Sequence, residues 1–119
     1  MKCMFIILNN TEKLDDLLTS LGDHGINGAT IFQSTGMAHK LLGSEETLTF
    51  LGSLNVILNP EKENNATICI VLKEEQIKMV RNIVHKILGD LSKPDTGILF
   101  TLPIDYIEGG SFGVNESVR

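Results

Sequence analysis

Tryptophan is missing from this sequence and tyrosine occurs once, so few large aromatic side chains are available to fill a core. The aromatic fraction is 5%, while hydrophobic residues make up 42% of the chain, and leucine, isoleucine and valine must supply most of the packing. With 119 residues the chain is long enough for one domain, because folded domains mostly run to roughly 50–200 residues.

Clustered positive charge is missing too. The chain has 10 Lys and Arg against 15 Asp and Glu, which gives a net charge of −5, and the basic residues are scattered. A nucleic-acid surface needs grouped cations to displace the counterions of the phosphates, so we expect no nucleic-acid partner.

The sequence also lacks an apolar run long enough for a membrane span, which needs about 20 residues. The apolar stretch at 3–8 is short for a signal peptide, and no small-residue cleavage site follows it. We therefore expect a cytoplasmic protein in which Cys3 and Cys69 are reduced. Neither cysteine belongs to a Cys-x-x-Cys pair and the 3 histidines lack metal-ligand spacing, so we expect no metal site within one subunit.

Runs of apolar residues predict four strands. Residues 3–8 are apolar on both alternating faces, which indicates a strand covered on two sides. Similar runs predict the other strands at 29–35, 67–72 and 98–102. Cys3 and Cys69 would then fall on neighbouring antiparallel strands, where we favour two small buried apolar side chains over a functional contact.

Apolar residues at helical spacing predict two helices. The first stripe is Leu14, Leu17, Leu18 and Leu21, and the second is Ile77, Val80, Ile83, Val84, Ile87 and Leu88. Thr11 is the expected N-cap of the first helix, which Gly22 and Gly25 are expected to end. Gly89 is expected to end the second helix.

The order of these elements is strand, helix, strand, long loop, strand, helix, strand. This is the split βαβ or ferredoxin-like arrangement, an α+β fold of type βαββαβ in which a four-stranded antiparallel sheet carries two helices on one face. We expect one domain over residues 1–108, a long inserted loop at 37–65 and a loose tail at 109–119. Because the strands are apolar on their second face as well, we expect self-association to cover that face.

Three stretches carry a likeness to a known family. The first helix opens with Lys13-Leu14-Asp15-Asp16. The second strand, which leads to Gly36, is entered through Gly25-Ile26-Asn27-Gly28-Ala29-Thr30-Ile31. The second helix is preceded by Glu74-Glu75-Gln76-Ile77 and followed by a turn and Gly97-Ile98-Leu99-Phe100. In this order and spacing they resemble the P-II nitrogen-regulatory signalling proteins over roughly residues 2–104.

The resemblance implies a homotrimer whose sheets face its centre and which binds a small effector, an adenine nucleotide such as ATP or ADP, between subunits. The long loop would regulate a partner protein, and the chain itself would not be an enzyme. The implied base contacts are Ile7, Thr30, Gly36 and Val71, with the Asp95-Thr96-Gly97 turn near the phosphates, where backbone amides can donate hydrogen bonds. Met37, Ala38, Lys40 and Lys93 complete the implied ligand-binding set.

The sequence departs from the family where phosphates would bind. Met37-Ala38-His39-Lys40 stands where the family has a glycine, an arginine and a glutamine, and Ile98 replaces the lysine after its glycine-aspartate-glycine turn. The arginines beyond its last strand are missing, with Asp105-Tyr106-Ile107-Glu108 in that region. A triphosphate needs compensating cations, and the candidates are His39, Lys40 and Lys93. These departures predict a weakened phosphate site.

The long loop is rich in large apolar side chains and lacks the tyrosine that some family members modify, so we expect no uridylylation. Its candidate partner-contacting residues are Leu48, Phe50, Leu51 and Leu54. Two interpretations stay open: the segment packs on its own trimer, which we favour, or it forms a docking surface for another protein.

Other classes of function remain as alternatives. One is a metal-linked trimer of the copper-tolerance type, which shares this architecture and would need exposed Cys, His or Met clusters. Another is a small-ligand-binding regulatory domain unrelated to nitrogen. A ferredoxin-like enzyme is disfavoured, because we find no nucleophile paired with a base and no two carboxylates in an apolar pocket.

Overall fold

The computed structural model describes residues 1–41 and 65–110. Within these ranges the strands are β1 (Lys2–Leu8), β2 (Ala29–Ser34), β3 (Asn65–Leu72) and β4 (Gly97–Pro103). The α-helices of the same ranges are α1 (Leu14–Asp23), α2 (Met37–Leu41) and α3 (Ile77–Leu88). The strands begin and end within two residues of the predicted positions.

The four described strands form one sheet in the order β2-β3-β1-β4. Every pairing is antiparallel, and β1 lies in the middle, with Lys2 opposite Leu72 on one side and opposite Pro103 on the other. On the outer side of β3, Ala29 of β2 is opposite Ile70. The sheet confirms the predicted α+β class with four antiparallel strands, and its order is compatible with the ferredoxin-like fold.

Both long helices pack on the same face of the sheet. Alternate residues of the two central strands point into this layer, and β3 alternates strictly between half-buried and buried positions. The core residues are Met4, Ile6, Leu17, Leu21, Ile26, Ile68, Ile70, Leu72, Val80, Ile83 and Val84. The predicted helical stripes of α1 and α3 are therefore the surfaces that the helices bury, as the 3.6-residue period requires.

The start and the end of α1 differ from the prediction. A 3-10 turn over Thr11–Lys13 precedes the helix, and the side chain of Asn10 accepts a hydrogen bond from the Glu12 amide at 3.1 Å. Asn10 thus caps this turn, while Lys13 precedes α1 and makes no side-chain capping hydrogen bond. The assignment of Thr11 as the N-cap of α1 was wrong, because Thr11 lies inside the 3-10 turn. Gly22 lies inside α1 rather than ending it, and the chain reverses at Gly25, whose φ is +86°.

The ends of α3 follow the prediction closely. The helix follows a 3-10 turn at Glu74–Gln76, and the side-chain oxygen of Gln76 accepts a hydrogen bond from the Lys73 amide at 2.8 Å. Gly89 ends the helix with a φ of +82°, a conformation that glycine adopts without strain, and its amide donates to the His85 carbonyl at 2.9 Å.

The predicted long loop at 37–65 is shorter at both ends than expected. Its first residues form α2, which starts after Gly36 with the Lys40 amide donating to the Gly36 carbonyl at 2.9 Å, and Asn65 already belongs to β3. The interior of the loop, with Leu48, Phe50, Leu51 and Leu54, lies outside the described residues, as do residues 111–119 of the predicted tail. None of the helices in the described ranges has the length and apolarity needed to cross a bilayer.

Candidate functional site

The face of the sheet turned away from α1 and α3, here called the open face, is the first feature of functional interest. β1 contributes Cys3, Phe5 and Ile7 to it, and β4 contributes Ile98, Phe100 and Leu102. The β4 side chains are 58%, 40% and 48% exposed in this order, while the core residue Met4 between Cys3 and Phe5 is 0% exposed. The two faces of one sheet thus differ sharply in burial.

An aromatic pair lies at the centre of the apolar half of the open face. Phe5 and Phe100 are direct cross-strand partners, and their rings stack with centroids 5.3 Å apart at an interplanar angle of 20°. Such pairs add roughly 0.5–1.5 kcal/mol beyond the area that they bury. The stack therefore links β1 and β4 through their side chains on the open face.

The β2 and β3 half of the open face is more polar than the sequence analysis predicted. Thr30, Phe32 and Ser34 alternate along β2, and their partners on β3 are Cys69, Thr67 and Asn65. The expectation that all four strands are apolar on this face was therefore wrong for β2. Its apolar Ile31 and Ala29 are opposite the core residues Ile68 and Ile70, so the register turns the hydroxyl-bearing residues to the open face.

At the end of this polar half, side chains from three strand ends form a hydrogen-bonded group that we call the polar corner, made of Asn9, Ser34, Asn65 and Thr67. The Ser34 hydroxyl is hydrogen-bonded to the Asn65 side-chain oxygen and shares a 2.7 Å hydrogen bond with the Thr67 hydroxyl. The Asn65 amide nitrogen donates to the Asn9 side-chain oxygen at 3.4 Å. These groups are partly buried, uncharged, and able both to donate and to accept hydrogen bonds.

The polar corner is connected to the turn before β4. The Asn9 amide donates to the Thr96 carbonyl at 3.2 Å, and the Thr96 hydroxyl donates back into its own turn, to the carbonyls of Leu91 and Lys93 at 3.1 and 2.8 Å. Gly36 adjoins the corner from the other side, since a Cβ placed there would lie 3.5 Å from the Asn65 amide nitrogen. The turn, the corner and the start of α2 thus form one continuous edge.

Gly97 is required by a close approach of two strands at this edge. A Cβ on Gly97 would lie 2.5 Å from the carbonyl oxygen of Ile7, and its φ is +155°. No side chain fits there without displacing backbone, because real Cβ atoms do not come so close to a carbonyl oxygen. Asp95, two residues earlier, has a φ of +60°, a left-handed conformation that Asp tolerates better than most residues.

The turn between α3 and β4 is further fixed by Asp90. Its carboxylate accepts hydrogen bonds from the Ser92 amide at 2.9 Å and the Ser92 hydroxyl at 2.8 Å. These two bonds lower the pKa of the Asp90 carboxyl, because they favour its ionised form. The turn is therefore an ordered segment with its own network, which positions Lys93 and Thr96 next to the edge of the sheet.

The structure brings together part of the predicted ligand-binding set. Ile7, Gly36, Asp95, Thr96 and Gly97 gather at the edge that carries the polar corner. The three members that lie on α2 are Met37, Ala38 and Lys40, and Met37 is 79% exposed. Lys93 lies in the turn before β4, and its amide donates to the Asp90 carbonyl at 3.1 Å.

Two predicted residues lie apart from this group within one chain. Ile7 is opposite Thr67, and Val71 is four residues further along β3, which corresponds to about 13 Å at 3.3 Å per residue. Thr30 is opposite Cys69, midway along the same strand. Within one chain, Val71 and Thr30 therefore lie away from the edge where Ile7, Gly36 and the turn before β4 gather.

Cys3 and Cys69 meet on the open face, in the contact that the sequence analysis considered but did not favour. Their Sγ atoms are 3.4 Å apart and both thiols are free. Burial raises the pKa of the Cys3 thiol to about 11, with a further rise from the hydrogen bond and the charge of Cys69. Within the described ranges, no group of three or more His, Cys, Asp and Glu side chains is placed to hold a metal ion.

Sequence reasoning missed Asn9, Ser34 and Asn65 as functional candidates. Their signal lies in the alternation of the strands, because Ser34 and Asn65 occupy open-face positions where an apolar residue is expected. A different cleft, between α1 and α3, is lined by Ser20, His24, Met79, Asn82, Ile83 and Lys86 and contains none of the predicted residues. We favour the polar corner over this cleft as the site, because the corner joins three strand ends that are distant in sequence.

The comparisons with known proteins leave the family open. No protein-family model matches the chain, and no curated protein matches it with significant similarity. The geometry of the open face and of the polar corner is therefore the basis for any functional conclusion.

Proposed function

We propose that this chain is a non-enzymatic, P-II-like regulatory protein of the cytoplasm that self-associates as a homotrimer through its open face. A small anionic effector, with adenine nucleotides ATP and ADP as the first candidates, binds between subunits at the polar corner. Binding changes the segment that follows α2, and this segment regulates a partner protein. A link to nitrogen metabolism rests on the resemblance alone.

The observation that carries the proposal is the convergence at one sheet edge. The end of β1, the Ser34–Gly36 exit of β2 and the Asp95–Gly97 turn meet there through hydrogen bonds and a close backbone contact. The same edge is where the chain enters α2 and the long segment beyond it. A ligand bound at this edge touches the segment that it controls, which a regulatory coupling requires.

The chemistry of the edge supports a binding role. The Ser34 hydroxyl is hydrogen-bonded to Asn65 and Thr67, neither of which is a base that could activate it. His24 and His85 lie on the helix layer instead. Amide and hydroxyl groups at the corner suit the edge of a heterocyclic base, and Lys40 and Lys93 can offset an anion.

The size of the open face supports self-association. Four strands spaced about 4.8 Å apart and about seven residues long, at about 3.3 Å per residue, cover roughly 440 Å² in plan. This is about half of the roughly 800 Å² that each partner buries in a standard interface, so further residues around the sheet must contribute. In a trimer each copy meets two others, and the approach of a second copy offers a way to unite Ile7 with Thr30 and Val71.

Light scattering tests the assembly. We expect a mass three times the chain's 13.1 kDa. Phe100→Lys places a charge in the middle of the apolar half and should yield a monomer, whereas Lys78→Gln on the helix layer, a control, should leave the mass unchanged. A wild-type monomer at micromolar concentration would overturn the homotrimer.

Calorimetric titration with ATP, ADP, AMP and cyclic nucleotides tests the effector. We expect heat from at least one of them, with weaker binding in Lys40→Gln and Lys93→Gln and unchanged binding in Lys78→Gln. Equal loss in all three lysine variants would indicate general charge attraction rather than a site at the corner. Absence of heat with every nucleotide would remove the nucleotide part of the proposal.

A further inference from the structure

The cysteine pair on the open face is a feature that the proposed effector site does not use. Cys3 lies on β1 and Cys69 on β3, and both thiols are half-buried and free. Their Sγ atoms are 3.4 Å apart, within hydrogen-bond distance of each other. Two soft ligands that converge in this way form a potential binding site within a single chain.

The register of the strands shows which bridge fits this pair. Cys3 is opposite Val71 and Cys69 is opposite Phe5, so the cysteines are diagonal neighbours. The Cα atoms of diagonal neighbours are about 7–8 Å apart, whereas a disulfide needs roughly 4.4–6.8 Å. A disulfide would therefore require the two central strands to move.

A cation that bridges the two sulfurs requires less movement of the backbone than a disulfide does. With metal–sulfur bonds of about 2.3 Å, a linear arrangement of two thiolates needs sulfurs about 4.6 Å apart. The two Sγ atoms are now 3.4 Å apart. They would have to move apart by about 1 Å, and rotation about the side-chain bonds can supply this movement.

We propose that Cys3 and Cys69 form a two-coordinate site for a soft monovalent cation of the Cu(I) or Ag(I) class. Thiolates select such cations over hard ones. One cation, M⁺, reacts with two thiols to give the bis-thiolate complex, with charge −1, and two protons. Two S–H bonds break and two M–S bonds form, and no atom changes its oxidation state.

The surroundings of the pair favour this class of cation over the commoner divalent metals. Cys3 is opposite Val71 on one side and Leu102 on the other, and Cys69 is opposite Phe5 on one side and Thr30 on the other, so three of the four cross-strand neighbours are apolar. Structural zinc requires four ligands. The described residues place no third His, Cys, Asp or Glu beside the two thiols. Both ligands of the site come from one chain, although the pair lies on the open face and has Val71 and Thr30 of the implied effector set as cross-strand partners.

The test uses the full, reduced chain under anaerobic conditions. Cu(I) is titrated against a Cu(I)-selective chelator and Ag(I) is titrated directly, with thiolate-to-metal absorption in the ultraviolet and intact mass as readouts. We expect one cation per chain. Loss of an outer-shell partner lowers metal affinity by roughly 10–100-fold. Cys3→Ser and Cys69→Ser each remove a direct ligand, so each should weaken binding by more than this. His85→Asn, on α3, is the matched control and should bind like the wild type.

A second measurement on the wild type avoids any folding defect of the variants. Bound Ag(I) should protect both thiols from alkylation, as read from the mass of the modified protein. Protection of one thiol or of neither would overturn the proposal. Unchanged affinity in either serine variant, or binding of Zn(II) as tight as that of Cu(I), would do so as well. Loss of two hydrogens under mild oxidation with diamide would contradict the spacing argument by which a cation is preferred to a disulfide.

Discussion

The two faces of the sheet are built from the same strands and yet differ in nearly every physical respect. On the helix-covered face, Ile68, Ile70 and Leu72 of β3 are at most 1% exposed. On the open face, Phe32 of β2 and Leu102 of β4 are 49% and 48% exposed. The comparison teaches that the covered face stabilises the single chain, while the open face is available for partners, ligands and chemistry.

The largest expected effect is the difference in unfolding free energy between two leucine variants, one on each face of the sheet. Leu72→Ala removes a side chain that is 1% exposed and should lower the free energy of unfolding by about 2–5 kcal/mol, because it leaves a cavity in the core. Leu102→Ala, at a 48% exposed position on the open face, should cost about 1 kcal/mol or less in the monomer. Urea unfolding at low protein concentration measures both values.

Equal losses of unfolding free energy in the two leucine variants would contradict the difference between the faces, because they would mean that the open face is as well covered as the core. A loss of unfolding free energy for Leu102→Ala that grows with protein concentration would make the difference between the faces more specific. Such a dependence indicates that association, rather than the fold of one chain, buries this side chain.

The second prediction concerns the close approach of β1 and β4 at Gly97. Gly97→Ala should destabilise the chain by about 1–3 kcal/mol, because the added methyl group would lie 2.5 Å from the Ile7 carbonyl oxygen. Gly28→Ala is the control: a Cβ there meets nothing within 4 Å, so its effect should be small. Thermal unfolding distinguishes the two, and a neutral Gly97→Ala would contradict the close approach of β1 and β4.

The third prediction tests the polar corner as a structural part of the open face. Asn65→Ala removes the partner of both Ser34 and Asn9 and should lower the free energy of unfolding by about 1–2 kcal/mol. Thr30→Val, on the same face but outside the corner, should change stability less. If both variants are equally stable, the corner's hydrogen bonds contribute little and its polarity serves ligand binding alone.

The smallest expected effect is a dependence of stability on pH that comes from Cys3. Its pKa is raised from the ordinary 9.0 to about 11 in the folded chain, so the folded state keeps a proton that the unfolded state loses. The stabilising contribution is complete below pH 9 and disappears as pH rises towards about 11. Urea unfolding of the wild type should therefore weaken more across this window than that of Cys3→Ser. Parallel curves would contradict the burial of the thiol.

Most of the fold was predictable from local patterns. The leucine stripe of α1 and the isoleucine and valine stripe of α3 give the helices, and runs of apolar residues give the strands, because burial imposes these periods. The start of α1 was not predictable to the residue, since a 3-10 turn capped by Asn10 separates Thr11 from the helix.

The site was less predictable than the fold. Ser34 and Asn65 are 31 residues apart in the chain, and only the register of β2 on β3 turns both to the open face. The Cys3 and Cys69 contact likewise depends on the diagonal register between β1 and β3. Periodicity fixes which elements form, but it does not fix which residues of two strands meet.

The central place of β1 has a consequence for how the chain folds. Its partners β3 and β4 both come much later in the chain, so Lys2 is opposite Leu72 on one side and Pro103 on the other. Contacts between such distant residues close large loops and slow folding. Until β4 has been made, the apolar strand β1 keeps an unpaired edge, which is open to pairing with other chains.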